Sequence, residues 1–164
     1  MKGREFLEII YRRRSVRKYE KKPIPDDVLN AILEAGRLAP TARNLQPWHF
    51  IVVRNPEVRR KLIFRDWNSF IGEAPVLIVG CGEADKKWAV VDVAIALENM
   101  VIAAEALGLG SCWIGAFKEE EVKKVLGIPD QLKVVAMITL GYPAERPDAP
   151  PKKRLEEIVH FDRF

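Results

Sequence analysis

Residues 88–117, WAVVDVAIALENMVIAAEALGLGSCWIGAF, decide how this chain folds. From Trp88 to Leu107 only Asp92, Glu98, Asn99 and Glu105 interrupt an apolar run. Wound as a helix at 1.5 Å per residue, the run is about 30 Å long, the diameter of a small domain. A helix apolar nearly all round has to be buried nearly all round. A chain of 164 residues has little material to wrap it on every side, so the run predicts a second subunit that supplies part of the cover. Gly108 stops the helix, and residues 110–117 read as a buried strand.

An apolar run of this length could also cross a bilayer. Against that, each acid near the bilayer centre costs roughly 2.5–3.5 kcal/mol, and the run holds three. At 100° per residue Asp92 and Asn99 share one line, and Glu98 and Glu105 share the next. That is the narrow polar stripe of a core helix, so the reading is a water-soluble protein rather than a membrane one.

The bulk composition agrees. At 164 residues the chain reads as one domain spanning residues 1–164. With 48% apolar and 30% charged residues it has the make-up of a globular protein with a sizeable core. The opening MKGREFLEIIYRRR has neither a long apolar core nor a small-residue cleavage site. Cys81 and Cys112 lie in apolar, strand-like runs and read as reduced core residues of a cytoplasmic protein. The net charge of +4 is concentrated at residues 12–22 (RRRSVRKYEKK) and 152–154 (KKR). Two basic clusters suit nucleic acid, an anionic small molecule or a solvated surface. No helix-turn-helix, zinc-finger or RNA-binding signature accompanies them.

Apolar spacing places helices at residues 4–11, 57–64 and 118–126, and another opened by Pro25, Asp26 and Asp27 that ends near residues 36–39. Strands are expected at 48–53, 75–81 and 132–140. Interleaved with helices, these make an α+β or α/β layer arrangement of four strands, with VHF at 159–161 a candidate fifth at the edge. In RRRSVRKY, a hydroxyl at 15 stands among guanidinium groups that suit phosphate oxygens; the plain alternative is a basic helix end followed by a turn. The Pro-bounded loop 39–47 offers Thr41, Asn44 and Gln46 as adaptable polar groups. Trp67 and Phe70 are either core or pocket wall, and His49 has no assigned role.

No nucleophile elbow, phosphate-binding Walker loop, GxGxxG fingerprint or metal-ligand spacing occurs. An enzyme without a visible acid, base or nucleophile carries its chemistry in a cofactor. Here the cofactor would be anionic, from the basic clusters, and aromatic, from the amide-bearing loop beside tryptophan.

Five stretches in order, RRSVRKY (13–19), APTARNLQPWHFIVV (39–53), DVAIALENMVIAAEALGLGSCWIGAF (92–117), LGYP (140–143) and KKRL (152–155), resemble the nitroreductase family of flavin-dependent oxidoreductases. The resemblance runs from Arg13 to about Val159. It implies an α+β fold with a four- to five-stranded, mainly antiparallel sheet flanked by helices, in an intertwined homodimer with two FMN molecules at the interface. By motif match, Arg13, Arg14, Ser15 and Arg17 would hold the phosphate, the ribityl chain or the pyrimidine edge, and Lys152 and Arg154 would close on the phosphate. Pro40, Thr41, Ala42 and Asn44 would reach the flavin of the other subunit. Ile114 and Gly115 would lie along the flavin ring, and Asn68 would bond its pyrimidine edge.

The activity implied is hydride transfer from NADH or NADPH through FMN to a nitroaromatic, quinone or flavin, without nucleic acid or membrane partners. Alternatives are a flavin specialist of the same fold (dehalogenation, flavin fragmentation or azoline oxidation) and a non-catalytic flavin carrier. Two departures stand out. Ile114 occupies the place of a Glu that some relatives link to nicotinamide binding, and the segment between Phe64 and Ala74 is much shorter than the helical lid of larger relatives.

Overall fold

The structure, a computed structural model, describes residues 3–164. Four strands, β1 (Trp48–Val53), β2 (Val76–Glu83), β3 (Gly110–Ile114) and β4 (Leu132–Gly141), form one sheet in the order β1-β2-β4-β3. Every neighbouring pair is antiparallel, which makes the sheet antiparallel throughout. β2 and β4 are central, so their Val- and Ile-rich runs are buried on both faces, and they read as continuous apolar segments rather than as alternation.

Six helices cover the sheet: α1 (Gly3–Arg12), α2 (Asp26–Arg37), α3 (Pro56–Arg60), α4 (Phe70–Glu73), α5 (Ala89–Ala106) and α6 (Glu119–Leu126). One face is packed by α2 and α5 through Leu29, Ile32, Val93, Leu97 and Met100. The other is packed by the α3–α4 region and α6 through Leu62, Phe70, Ile71 and Val122. At α3 the start is set locally: Asn55 Oδ1 accepts from Glu57 N at 2.8 Å and from Val58 N at 3.3 Å, with Pro56 in the first turn.

Several boundaries differ from the sequence reading. The helix expected at 57–64 ends at Arg60, because Leu62 turns into the core with no exposed surface. The short segment between Phe64 and Ala74, given no element in the sequence reading, contains a 3₁₀ turn (Asp66–Asn68) and α4. The strand expected to run to residue 117 ends at Ile114. There β4 carries a bulge opposite Gly80/Cys81, and the added twist of a bulge turns the sheet away from a straight continuation. No fifth strand forms at 159–161. The tail instead makes a single 3₁₀ turn, Leu155–Glu157, while the segment at Ser15 pairs with β3 at Ser111.

The central helix starts at Ala89, one residue into the apolar run that opens at Trp88. Its polar stripe is used up residue by residue. Asp92 Oδ1 lies 3.4 Å from Ala42 N, and Asn99 Nδ2 donates to Ala35 O at 3.2 Å. Glu98 accepts from Trp113 Nε1 at 3.0 Å and Glu105 from Arg12 Nε at 2.9 Å. The expectation of burial all round is met on one side only: within this chain Val90 and Val91 are each 46% exposed and Ile95 is 37% exposed. Among the described residues no helix is long and apolar enough to cross a membrane.

Candidate functional site

The site begins where α1 ends. Arg14 Nη1 donates to the carbonyls of Tyr11 at 2.7 Å and Arg13 at 2.8 Å, which satisfies backbone oxygens that the end of a helix leaves open. The chain then runs extended beside β3. Ser15 bridges Ser111 in parallel sense, and Val16 N donates to Ser111 O at 2.9 Å. This approach requires Gly110 to lack a side chain, since a Cβ there would lie 2.8 Å from Val16 Cβ. Below it, Tyr19 OH donates to Val16 O at 2.6 Å and lies 2.7 Å from Thr139 Oγ1, which donates to Cys112 O at 3.4 Å. Burial pushes the Tyr19 phenol well above its ordinary value, so it stays neutral and works as a hydrogen-bonding strut.

The second strand of the site is the beginning of the tail. Tyr19 pairs with Pro143, Glu20 N donates to Tyr142 O at 2.9 Å and Ala144 N to Lys18 O at 2.9 Å. From there the Pro-rich residues 147–150 curve past the arginines and deliver Lys152. The result is a cavity of about 510 Å³ between the two segments, lined by Arg13, Arg14, Ser15, Arg17, Lys152 and the Pro147–Pro150 turn with Asp148.

The charge of this cavity is its main property. Four cations face one carboxylate. Among the described residues, no carboxylate forms an ion pair with the side chains of Arg13, Arg17 or Lys152. The Arg17 guanidinium lies 6.0 Å from the centre of the Phe70 ring, so Phe70 is a core residue that also backs the site, while Trp67 is solvent-exposed. Converging guanidinium forks and a hydroxyl without an internal counter-charge are the donor set for a phosphate. Cys112 lies behind Ser15, and burial raises its thiol pKa against the pull of Arg17, Ser15 and Arg13. It is a neutral packing group there, not a nucleophile.

The structure thus brings Arg13, Arg14, Ser15, Arg17 and Lys152 together and places the other expected site residues elsewhere. Arg154 lies on the exposed tail, paired with Glu156 at 2.9 Å and Glu157 at 3.5 Å. Pro40, Thr41, Ala42 and Asn44 do not line the cavity. Their loop is held at Asp92 on α5, with Arg43, Asn44 and Gln46 at φ of 55°, 55° and 50°. Three non-glycine residues in the left-handed region mark a backbone that its surroundings constrain. Ile114 is buried, and Gly115 beyond it is exposed, with nothing within 4 Å of where a Cβ would stand. Asn68 is fully buried; its Oδ1 accepts from Arg65 N at 3.2 Å, and its Nδ2 has no partner.

Sequence reading missed Tyr19, Thr139 and Glu145. Tyr19 only closes the basic motif and Thr139 looks like an ordinary strand residue, and their contact spans 120 positions. The one available signal for Glu145 was its place two residues after the GYP turn.

The sequence profile described as the Nitroreductase family matches residues 10–66 and 64–142. This chain belongs to the nitroreductase family. A curated Archaeoglobus fulgidus protein is 40% identical over 157 residues, covering 88% of each chain. The NADPH-flavin oxidoreductase of Vibrio harveyi is 27% identical over 96% of this chain and 74% of its own. The solved structure of an FMN-dependent nitroreductase from Clostridium difficile R20291 superposes with a TM-score of 0.90 at 29% identity, covering 96% of this chain and 99% of that one. These likenesses bear out the expected nitroreductase fold with four strands.

Proposed function

We propose that this nitroreductase-family protein is an FMN-dependent NAD(P)H oxidoreductase, which passes a hydride from NADH or NADPH through its flavin to a nitroaromatic, quinone or flavin acceptor. The observation that carries the reading is the cationic cavity beside β3, whose guanidinium groups form no ion pair with a carboxylate among the described residues. The names of the Vibrio harveyi and Clostridium difficile relatives, a flavin oxidoreductase and an FMN-dependent enzyme, support it.

The residues present fit FMN. Arg13, Ser15, Arg17 and Lys152 can take its terminal phosphate, and Arg14, held by the end of α1, keeps further N–H groups for the ribityl side. The open space at Gly115 admits a flat ring against bare backbone, and the unpartnered Asn68 amide is a donor two residues before α4 begins at Phe70. Bound FMN supplies the two-electron chemistry that no side chain here can supply. The chain's own work is positional and electrostatic: it holds a phosphate in a fixed fork, presents backbone N–H groups at the end of β3, and stabilises negative charge with fixed cations.

The same reading includes a homodimer. Val90, Val91 and Ile95 on α5, the outer side of α1 and the aromatic end of the tail leave apolar surface uncovered in one chain, and a second copy is the occupant that a shared central helix calls for. The loop at residues 40–44, away from the cavity of its own chain, is then available to the flavin of the other.

The test is direct. Protein supplied with FMN should be yellow, bleach with NADH or NADPH without air, and regain colour when a quinone or nitroaromatic is added. Protein that takes up no FMN sinks the proposal; protein that binds FMN but is not bleached by either nicotinamide is a carrier. A salt series separates FMN from nucleic acid, since phosphate-driven nucleic-acid binding weakens steeply with salt.

A further inference from the structure

We infer that Glu145 is a positioning residue for the cofactor: its carboxylate clamps the tail onto the arginine-bearing segment, and so sets where Lys152 stands. The inference rests on the FMN reading above. Backbone pairing between residues 17–20 and 142–145 includes Glu20 N to Tyr142 O and Ala144 N to Lys18 O. At the next step the tail turns away, and Glu145 Oε1 takes the Arg17 N–H at 2.8 Å in place of a carbonyl. Its other oxygen lies 4.0 Å from Lys18 Nζ. Seven residues further on, Lys152 enters the phosphate cavity. Without the carboxylate, the last fixed point of the tail before Lys152 would be the Ala144–Lys18 bond.

The placement also explains how an acid can sit among phosphate-binding cations without opposing them. Glu145 lines a separate cavity of about 270 Å³, together with Arg12, Glu105 and Arg146. It is absent from the lining of the phosphate cavity. Its charge therefore stands behind the backbone of Arg17, while the Arg17 guanidinium has no ion-pair partner among the described residues and is left for the ligand. A hydrogen bond to a charged acceptor is also stronger than a neutral one.

The role predicts a pattern across three full-length variants, read as FMN affinity by flavin-fluorescence quenching and as FMN release rate. Glu145→Ala should weaken FMN about tenfold, through faster release, the size expected for loss of one charge-assisted hydrogen bond. Glu145→Asp keeps the charge but is one methylene short of Arg17 N, and should behave like Ala. Glu145→Gln keeps the reach and an acceptor oxygen, and should stay within about threefold of the parent.

Because Glu145 acts through Lys152, Lys152→Ala should cost clearly less in the Glu145→Ala background than in the parent. A purely structural acid would lower the melting temperature of the apoprotein without that coupling and without rescue by Gln. If Glu145→Ala does not fold, the contrast between Gln and Asp decides. Parent affinity in both Ala and Asp, or strict additivity with Lys152→Ala, overturns the inference while FMN binding by the parent still stands. A parent that binds no FMN overturns the cofactor reading itself.

Discussion

Arg17 and Arg154 show how two arginines of equal promise in sequence part company in three dimensions. Arg17 faces the cavity without an ion-pair partner among the described residues, whereas Arg154 is bound to Glu156 and Glu157 on its own turn. Arg17→Ala and Lys152→Ala should each raise the FMN dissociation constant roughly ten- to a hundredfold, as for loss of a charged hydrogen bond; Arg154→Ala should raise it less. Isothermal titration of the three variants checks the order, and an Arg154→Ala effect as large as that of Arg17→Ala would place the tail differently. The buried thiols give a second prediction. Burial pushes Cys81 from 9.0 up to about 11 and raises Cys112 in the same direction. The folded protein therefore holds these protons more tightly than the unfolded chain. The associated stability is complete below pH 9 and is lost as pH rises from 9 towards 11, on the order of 2 kcal/mol for Cys81. Tyr19 adds to the loss only above its ordinary value of 10.0. Urea melts should be flat up to pH 9 and then fall, and a Cys81→Ala/Cys112→Ala double variant should move the onset about one pH unit higher.

At the scale of elements, the pairing of α2 with α5 carries much of one core face, and Gly36 sets its distance. A Cβ at Gly36 would lie 2.1 Å from Met100 Cε and 2.8 Å from Met100 Cγ. Gly36→Ala should therefore destabilise the protein by about 1–3 kcal/mol despite the better helix propensity of alanine, because overpacking outweighs a gain of at most about 1 kcal/mol. Shortening Met100 to Ala in the same chain should recover part of the loss, measured as a double-mutant cycle by denaturant unfolding. The type and order of these elements were legible in the sequence, since apolar period and length separate strands of five to ten residues from α5. Their ends were not. The helix at 57–64 stopped early and the strand at 110–117 closed at Ile114 because a buried Leu62 and a bulge in β4, both tertiary events, override local preference.

For the whole molecule, the exposed apolar side of α5 and the tail residues Leu155, Ile158, Phe161 and Phe164 are the features to test. Sedimentation should give twice the 18.7 kDa chain mass. Ile95→Glu, which puts a charge into the proposed seam, should shift the protein towards single chains and release FMN with the same concentration dependence. A wild-type protein that sediments as one chain while keeping its flavin would leave the shared-helix proposal without support.

What the chain encodes in its order alone is the set of elements, the core helix with its polar stripe, and a basic stretch near each end. These follow from local period and composition, which survive without knowledge of neighbours. What folding alone settles is which cations converge and what frees them. Arg13, Arg17 and Lys152 meet because Tyr19 and Thr139, 120 residues apart, tie the first segment to the sheet, and because Glu145 takes a backbone N–H rather than a guanidinium. Such pairings depend on distance through space, and no spacing along the sequence records them.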